Sequence, residues 1–149
     1  MKISEEKSKK IFIDGAITPN FIAESIAKHS IKKNIGAHQI FLGQIRSDEI
    51  NGRIVQAIDF TAFKEMAEKE YYNLREIIFG KYELTCMHVY HSLGKIYAGE
   101  INLFVFTSSA HRKHATEACA EMVELIKTNL QVWGKEIFDD ENHSWKVNK

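Results

Sequence analysis

Two stretches of helical periodicity, set among extended segments, decide what this 149-residue chain can fold into. From Lys64 to Phe79, apolar or aromatic residues recur at Ala67, Tyr71, Leu74 and Ile78, which lines one face of an amphipathic helix, and Gly80 supplies a stop. From Arg112 to Lys127, the residues Ala115, Cys119, Met122 and Ile126 mark a second such face. Between the two helices, Leu84 to Leu93 and Glu100 to Thr107 read as extended segments. They are separated by Gly94-Lys95-Ile96-Tyr97-Ala98-Gly99, whose glycines suit a turn.

The flanks follow the same logic. In Thr18-Pro19-Asn20 the threonine can cap a helix whose first position is the proline, which predicts a short helix from Pro19 to Lys28. Gly36 to Ile45 reads as a strand ending at Arg46. Asn51-Gly52 marks a tight turn, and Ile54 to Phe63 resumes the extended pattern, so the two strands are predicted to pair as a hairpin. Beyond Leu130, two short extended segments around Trp133 and Trp145 are joined by the acidic turn Asp139-Asp140-Glu141-Asn142. Hairpins and long helices without regular βαβ alternation predict an α+β domain and argue against a doubly wound one. With no repeat, low-complexity stretch or linker, residues 1–149 are expected to form a single domain.

Charge narrows the function classes. Twenty Lys and Arg residues balance twenty Asp and Glu residues, so no global field draws the chain to nucleic acid or an anionic membrane, and any anion recognition must be local. No apolar run approaches the roughly 18 residues of a membrane span, and the charged start Met1 to Lys7 lacks the apolar segment of a secretory signal. A cytoplasmic location is the expectation. Cys86 and Cys119 have neither a Cys-x-x-Cys spacing nor a framework of further cysteines, and are expected as buried free thiols.

The strongest local chemistry lies at Thr107-Ser108-Ser109-Ala110-His111-Arg112-Lys113-His114. Ser108 or Ser109 can cap the following helix, and His111, Arg112 and Lys113 add donors where the free N–H groups and the positive helix end suit a phosphate or carboxylate. A serine there can equally be a plain cap, and both readings stand at this point. Lys127 at the end of the same helix agrees with the dipole, as a surface lysine would; Lys135 reads the same way by default, and Arg46 at a strand end is ambiguous. The pairs His88/His91 and His111/His114 raise a metal site as a rival. Residues three apart on a strand point to opposite faces, and the helical pair has no third ligand at a zinc spacing, so no metal is expected. No Gly-rich phosphate loop, nucleophile elbow or paired-carboxylate motif is present.

The ordered blocks Gly36-Ala37, Phe41-x-Gly43-x-Ile45-Arg46, His91-x-x-Gly94, Gly99-Glu100, Ser109-Ala110-His111-Arg112, Ile126-Lys127-Thr128 and Trp133-x-Lys135-Glu136 resemble the molybdopterin synthase large (catalytic) subunit family. The resemblance runs from Gly36 to about Trp145 and is loose over the first 35 residues. It implies an α/β hammerhead-type fold with antiparallel hairpins and two long amphipathic helices. It also implies a homodimer, with a small ubiquitin-like sulfur-carrier subunit at each end to make a heterotetramer. That partner's Gly-Gly tail ends in a thiocarboxylate, and cyclic pyranopterin monophosphate receives two sulfurs from it to become molybdopterin, with no cofactor or metal at this step.

Residue by residue, Arg46, His111 and Arg112 match the family's anion-binding positions, and Lys127 matches its principal catalytic lysine, which also binds substrate. Together they are expected to form one basic pocket. The family usually has Trp-Lys-Lys/Arg-Glu where this chain has Trp133-Gly134-Lys135-Glu136, so a second catalytic lysine falls on Gly134. Lys135 is the residue expected to substitute in catalysis and substrate binding, provided a bulge or glycine twist turns it inward. Terminal Lys149 aligns with a C-terminal family arginine. Two rival readings remain: a weakened relative that only binds the small subunit, suggested by Gly134, and a metal-dependent hydrolase, suggested by the histidine pairs.

Overall fold

Thr18 and Pro19 open the first helix as their chemistry dictates: the Thr18 hydroxyl accepts the Phe21 N–H at 3.1 Å, and Pro19 occupies the first helical position. A computed structural model of the chain describes residues 11–140 and 143–145. Its elements are β1 (Phe12–Asp14), α1 (Pro19–His29), β2 (Ala37–Gln44), β3 (Glu49–Ile50), β4 (Arg53–Ala62), α2 (Lys64–Lys81), β5 (Cys86–Tyr97), β6 (Ile101–Ser109), α3 (Arg112–Asn129), β7 (Val132–Phe138) and β8 (His143–Trp145). This is the expected α+β class, with an almost entirely antiparallel sheet. No helix among the described residues is long and apolar enough to cross a membrane.

The strand order is β2-β6-β5-β4-β7-β8, with β1 beside β5 in the only parallel pairing among the described residues and β3 beside β4. The predicted hairpin between β2 and β4 is therefore not formed. The Asn51-Gly52 turn instead folds the two-residue β3 back on β4, with Asn51 and Gly52 both at positive φ, while β2 pairs with β6. Asn-Gly specifies a reversal, and it is the residues before the turn that decide how much strand is reversed.

β5 joins two limbs of the sheet. Its first half, Cys86 to His91, pairs with β6, and its second half, Gly94 to Tyr97, pairs with β4. Gly94 sits at the changeover with φ +93°, a conformation open to glycine at little cost. The strand thus continues through the segment expected as a turn, and the reversal comes at Ala98-Gly99. Gly80 likewise falls inside α2, which ends at Lys81 instead of stopping at the glycine.

Both faces of the first limb are covered. On one side α2 and α3 bury Tyr71, Leu74, Ile78, Met122 and Ile126 against Met87, Val89, Leu103 and Val105. On the other, α1 sets Phe21 and Ile22 against Phe104 and Phe106. That double cover explains why β6 reads as a continuous apolar run. The second limb has its own core, built from Val55, Ile58, Phe60, Ile96 and Phe138.

Candidate functional site

Where the two limbs meet, the C-terminal end of α3 overhangs a cleft of about 1110 Å³. Its apolar wall includes Phe41, Ile58, Phe60 and Val123, and its polar groups include Arg46, His91, Asn102, Lys127 and Glu136. Lys127 is placed by the periodicity of α3: Val123 and Ile126 anchor the last turns in the core, and the next residue emerges on the exposed side. Arg46 follows directly on Ile45, which is buried in the second core, and its guanidinium donates to the Asp48 carboxylate at 3.1 Å. That ion pair is largely solvated, so it holds the arginine weakly.

His91 is buried in the wall of the cleft. It is 7% exposed, its ring is flanked edge-on by Phe12 and Phe60, and its Nδ1–H donates to the Ser92 carbonyl at 2.8 Å. Because a carbonyl can only accept, the proton lies on Nδ1 and Nε2 carries the lone pair. Burial disfavours the imidazolium and the nearby Lys127 ammonium opposes it further, so the pKa falls to about 4 even though the Ser92 carbonyl favours the charged form. A neutral imidazole with an open acceptor nitrogen therefore lies beside a cation at neutral pH.

The far wall carries the departure noted in the sequence. β7 runs in continuous antiparallel register against β4, with Phe60 opposite Gly134, Asp59 opposite Lys135 and Ile58 opposite Glu136. The only irregularity in this pairing lies between Val55 and Ala57. No bulge turns Lys135 inward. Gly134 and Glu136 line the cleft, while Lys135 does not, and its ammonium lies 5.9 Å from the centre of the Trp145 ring. Gly134 is also closely packed: a Cβ there would sit 2.7 Å from Cγ2 of Ile58 and 3.1 Å from Cε1 of Phe60.

The other expected residues lie at the opposite end of α3. His111 is the N-cap and makes no side-chain capping bond, so neither serine occupies the cap position itself. Ser109 acts from two residues upstream, where its hydroxyl accepts the Ala115 N–H at 3.1 Å and donates to the His111 carbonyl. Ser108 bonds instead with Nδ1 of His38 at 2.7 Å. His111 borders a smaller hollow of about 420 Å³ with Tyr82, Glu83, Ala110 and His114. From Arg112 to Lys127 the helix rises about 22 Å at 1.5 Å per residue. Within one chain, His111 and Arg112 do not share a pocket with Arg46 and Lys127.

The cleft of one chain is accordingly not basic. Arg46 and Lys127 share its lining with Asp48, Glu49, Glu124 and Glu136. Among the buried polar groups of the cleft that sequence reasoning did not assign to the site are His91 and Glu136, each 7% exposed. The signal for Glu136 was its even spacing from Gly134 on an extended strand. His88 and His91 project to opposite faces of β5, as their spacing predicts: His91 into the cleft, His88 toward α1. Nδ1 of His114 accepts the Glu83 backbone N–H at 3.0 Å. Lys149 lies outside the described residues.

A family profile described as "MoaE protein" matches residues 17–129. Among curated relatives, the molybdopterin synthase catalytic subunit of Pyrococcus abyssi is 36% identical over 119 residues, covering 80% of this chain and 79% of that one. The Homo sapiens protein of the same name is 30% identical over 150 residues, covering 97% and 75%. Among solved structures, molybdopterin synthase from Staphylococcus aureus superposes with a TM-score of 0.80 at 26% identity, covering 92% of this chain and 96% of that one. A complex of subunits 1 and 2 of the molybdopterin-converting factor from Helicobacter pylori superposes with a TM-score of 0.78 at 19% identity, covering 93% and 90%, a likeness of fold.

Proposed function

The chain belongs to the MoaE family, and from that premise we propose that its cleft is the sulfur-transfer site of a molybdopterin synthase catalytic subunit. The donor is the thiocarboxylated Gly-Gly tail of a small ubiquitin-like subunit, and the acceptor is cyclic pyranopterin monophosphate. The observation that carries the reading is the pairing of Lys127 with a buried, neutral His91 inside a cleft that is also large. At about 1110 Å³ it exceeds the roughly 300–1,000 Å³ of common small-molecule sites, which suits a pterin together with an extended peptide tail. Trp133 and Trp145, both more than half exposed and both bordering the cleft, offer apolar contact to that tail.

The chemistry follows from charge. As the thiocarboxylate sulfur attacks the pterin side chain, negative charge develops on the acceptor, and the Lys127 ammonium stabilises it or supplies the proton. His91, neutral and lone-pair-bearing at Nε2, is suited to accept a hydrogen bond from Lys127 or from a bound hydroxyl and so to orient it, without taking the proton. Water then adds to the acyl carbon of the tail and breaks its bond to sulfur, so the sulfur stays on the pterin and the tail leaves as a carboxylate. Arg46, released from its exposed bond to Asp48, is suited to the substrate phosphate through its fork of donors.

The two anionic reactants require more positive charge than Arg46 and Lys127 supply against four carboxylates. His111 and Arg112 are exposed about 22 Å away along α3, so they serve the same substrate only when a second copy of the chain brings them in. This supports a homodimer with composite sites, each holding Lys127 and Arg46 from one copy and His111 and Arg112 from the other.

A second reading has one specific observation in its favour. With Gly134 at the position of the second family lysine and Lys135 off the cleft, the chain would bind the small subunit yet transfer sulfur poorly. Mixing the protein with a thiocarboxylated small subunit and the pterin precursor, with and without chelator, separates the two. Dithiolene product formed despite chelator supports the first reading, and a stable complex without product supports the second.

A further inference from the structure

On the face of β5 opposite the cleft, His29, Cys86 and His88 come together. Among the described residues they form the one group of three His, Cys, Asp or Glu side chains whose donor atoms all lie within 4.8 Å of one another. They arrive from distant parts of the chain: His29 is the last residue of α1, and Cys86 and His88 alternate on one face of β5. We propose that His29, Cys86 and His88 bind one zinc-like divalent cation that clips α1 to the sheet, separate from the sulfur-transfer site.

Four observations carry this. Nδ1 of His29 lies 2.7 Å from the Ser25 carbonyl, which fixes the proton on Nδ1 and aims the Nε2 lone pair away from the helix, the arrangement in which a backbone carbonyl orients a metal-bound histidine. That Nε2 lies 2.8 Å from Nε2 of His88, so two imidazole nitrogens converge on one point and share a single proton. A tetrahedral ion about 2.0–2.1 Å from each nitrogen would hold them roughly 3.3 Å apart, a separation the two rings reach by parting about 0.5 Å. Cys86 is 8% exposed and supplies the thiolate that selects zinc or cobalt over calcium or magnesium. Finally, the carbonyl end of α1 carries the negative end of the helix dipole, which favours a cation there.

On binding, the proton held between the two rings moves to Nδ1 of His88, so both imidazoles stay neutral and turn Nε2 to the ion, and the Cys86 thiol gives up its proton to solvent. Water completes the coordination. The His29 ring meets Phe106 edge-on and the His88 ring lies tilted beside it, which limits their other orientations.

Cobalt titration of chelator-treated protein tests the proposal. One equivalent per chain should produce a thiolate-to-cobalt charge-transfer band together with the intense ligand-field bands of a four-coordinate ion. Zinc should displace it and raise the melting temperature. Cys86→Ser, a near-isosteric change, should abolish the charge-transfer band, His88→Ala should weaken binding at least about tenfold, and Cys119→Ser should leave both unchanged. Failure to saturate at one equivalent, or a charge-transfer band that survives Cys86→Ser, would overturn the proposal. So would binding of equal strength in folded His88→Ala, which would place the ion on other surface groups.

Discussion

The Lys127 ammonium stands near enough to the buried His91 imidazole to oppose its protonation, and the two groups meet in the cleft between the limbs of the sheet. Burial contributes more to the lowered pKa than Lys127 does, and together they keep the ring neutral across the physiological range.

Stability should therefore depend on pH through His91. Between pH 6.5 and about 4, the unfolded chain takes up a proton at this position and the folded chain does not, so stability falls as pH is lowered through that window and this contribution levels off below it. The full effect is about 3 kcal/mol. Denaturant unfolding at pH 7 and pH 4.5 should show the loss in the native chain and a shallower one in His91→Gln; equal slopes in both would remove His91 from the account.

Gly134 is constrained by packing as well as by its place in the site. Its Cβ position lies 2.7 Å from a methyl group of Ile58, and a β-branched side chain yields little there. Gly134→Ala should destabilise the fold by about 1–3 kcal/mol through overpacking. Ile58→Ala removes the obstructing methyl, so the double variant should lose less than the sum of the two singles. Additive losses in a double-mutant cycle would show that the two positions do not press on one another.

Composite sites predict complementation. Lys127→Ala and Arg112→Ala should each be inactive alone. A mixed dimer contains one intact site, because the first copy still brings Arg112 and the second still brings Lys127. Co-expressed, differently tagged chains purified as the mixed species should regain sulfur transfer, and a mixed dimer as inactive as its parents would contradict the shared site.

Arg46 should affect binding more than folding. Its exposed bond to Asp48 makes Arg46→Ala neutral in stability to within about 0.5 kcal/mol. The KM for the phosphorylated pterin should rise while kcat changes less. An unchanged KM would take the phosphate contact away from this residue.

Much of the frame was legible in the residues. Pro19 and the apolar spacing of Ala67 to Ile78 and Ala115 to Ile126 located all three helices of the described chain, because a buried face must repeat with the helix. Strand partners were less legible, since a turn signal such as Asn51-Gly52 acts locally and cannot tell β4 that its long partners are β5 and β7. Lys127 looked like any helix-ending lysine, and only its family resemblance marked it. The separation of Arg112 from Lys127 was available beforehand as fifteen residues of helix, yet motif order placed them in one pocket. His91 could not be found from periodicity, because its neutrality comes from Phe12, Phe60 and Lys127, which the fold assembles from three distant segments.

Lys127 carries the proposed transfer chemistry. Sulfur transfer should be measured with thiocarboxylated small subunit and cyclic pyranopterin monophosphate for the native chain, Lys127→Ala and Lys135→Ala, each confirmed as folded and bound to the small subunit. Product formation should fall by at least about 10²-fold in Lys127→Ala and stay near the native rate in Lys135→Ala. Near-native turnover in Lys127→Ala would contradict the assignment of this cleft as the site of transfer.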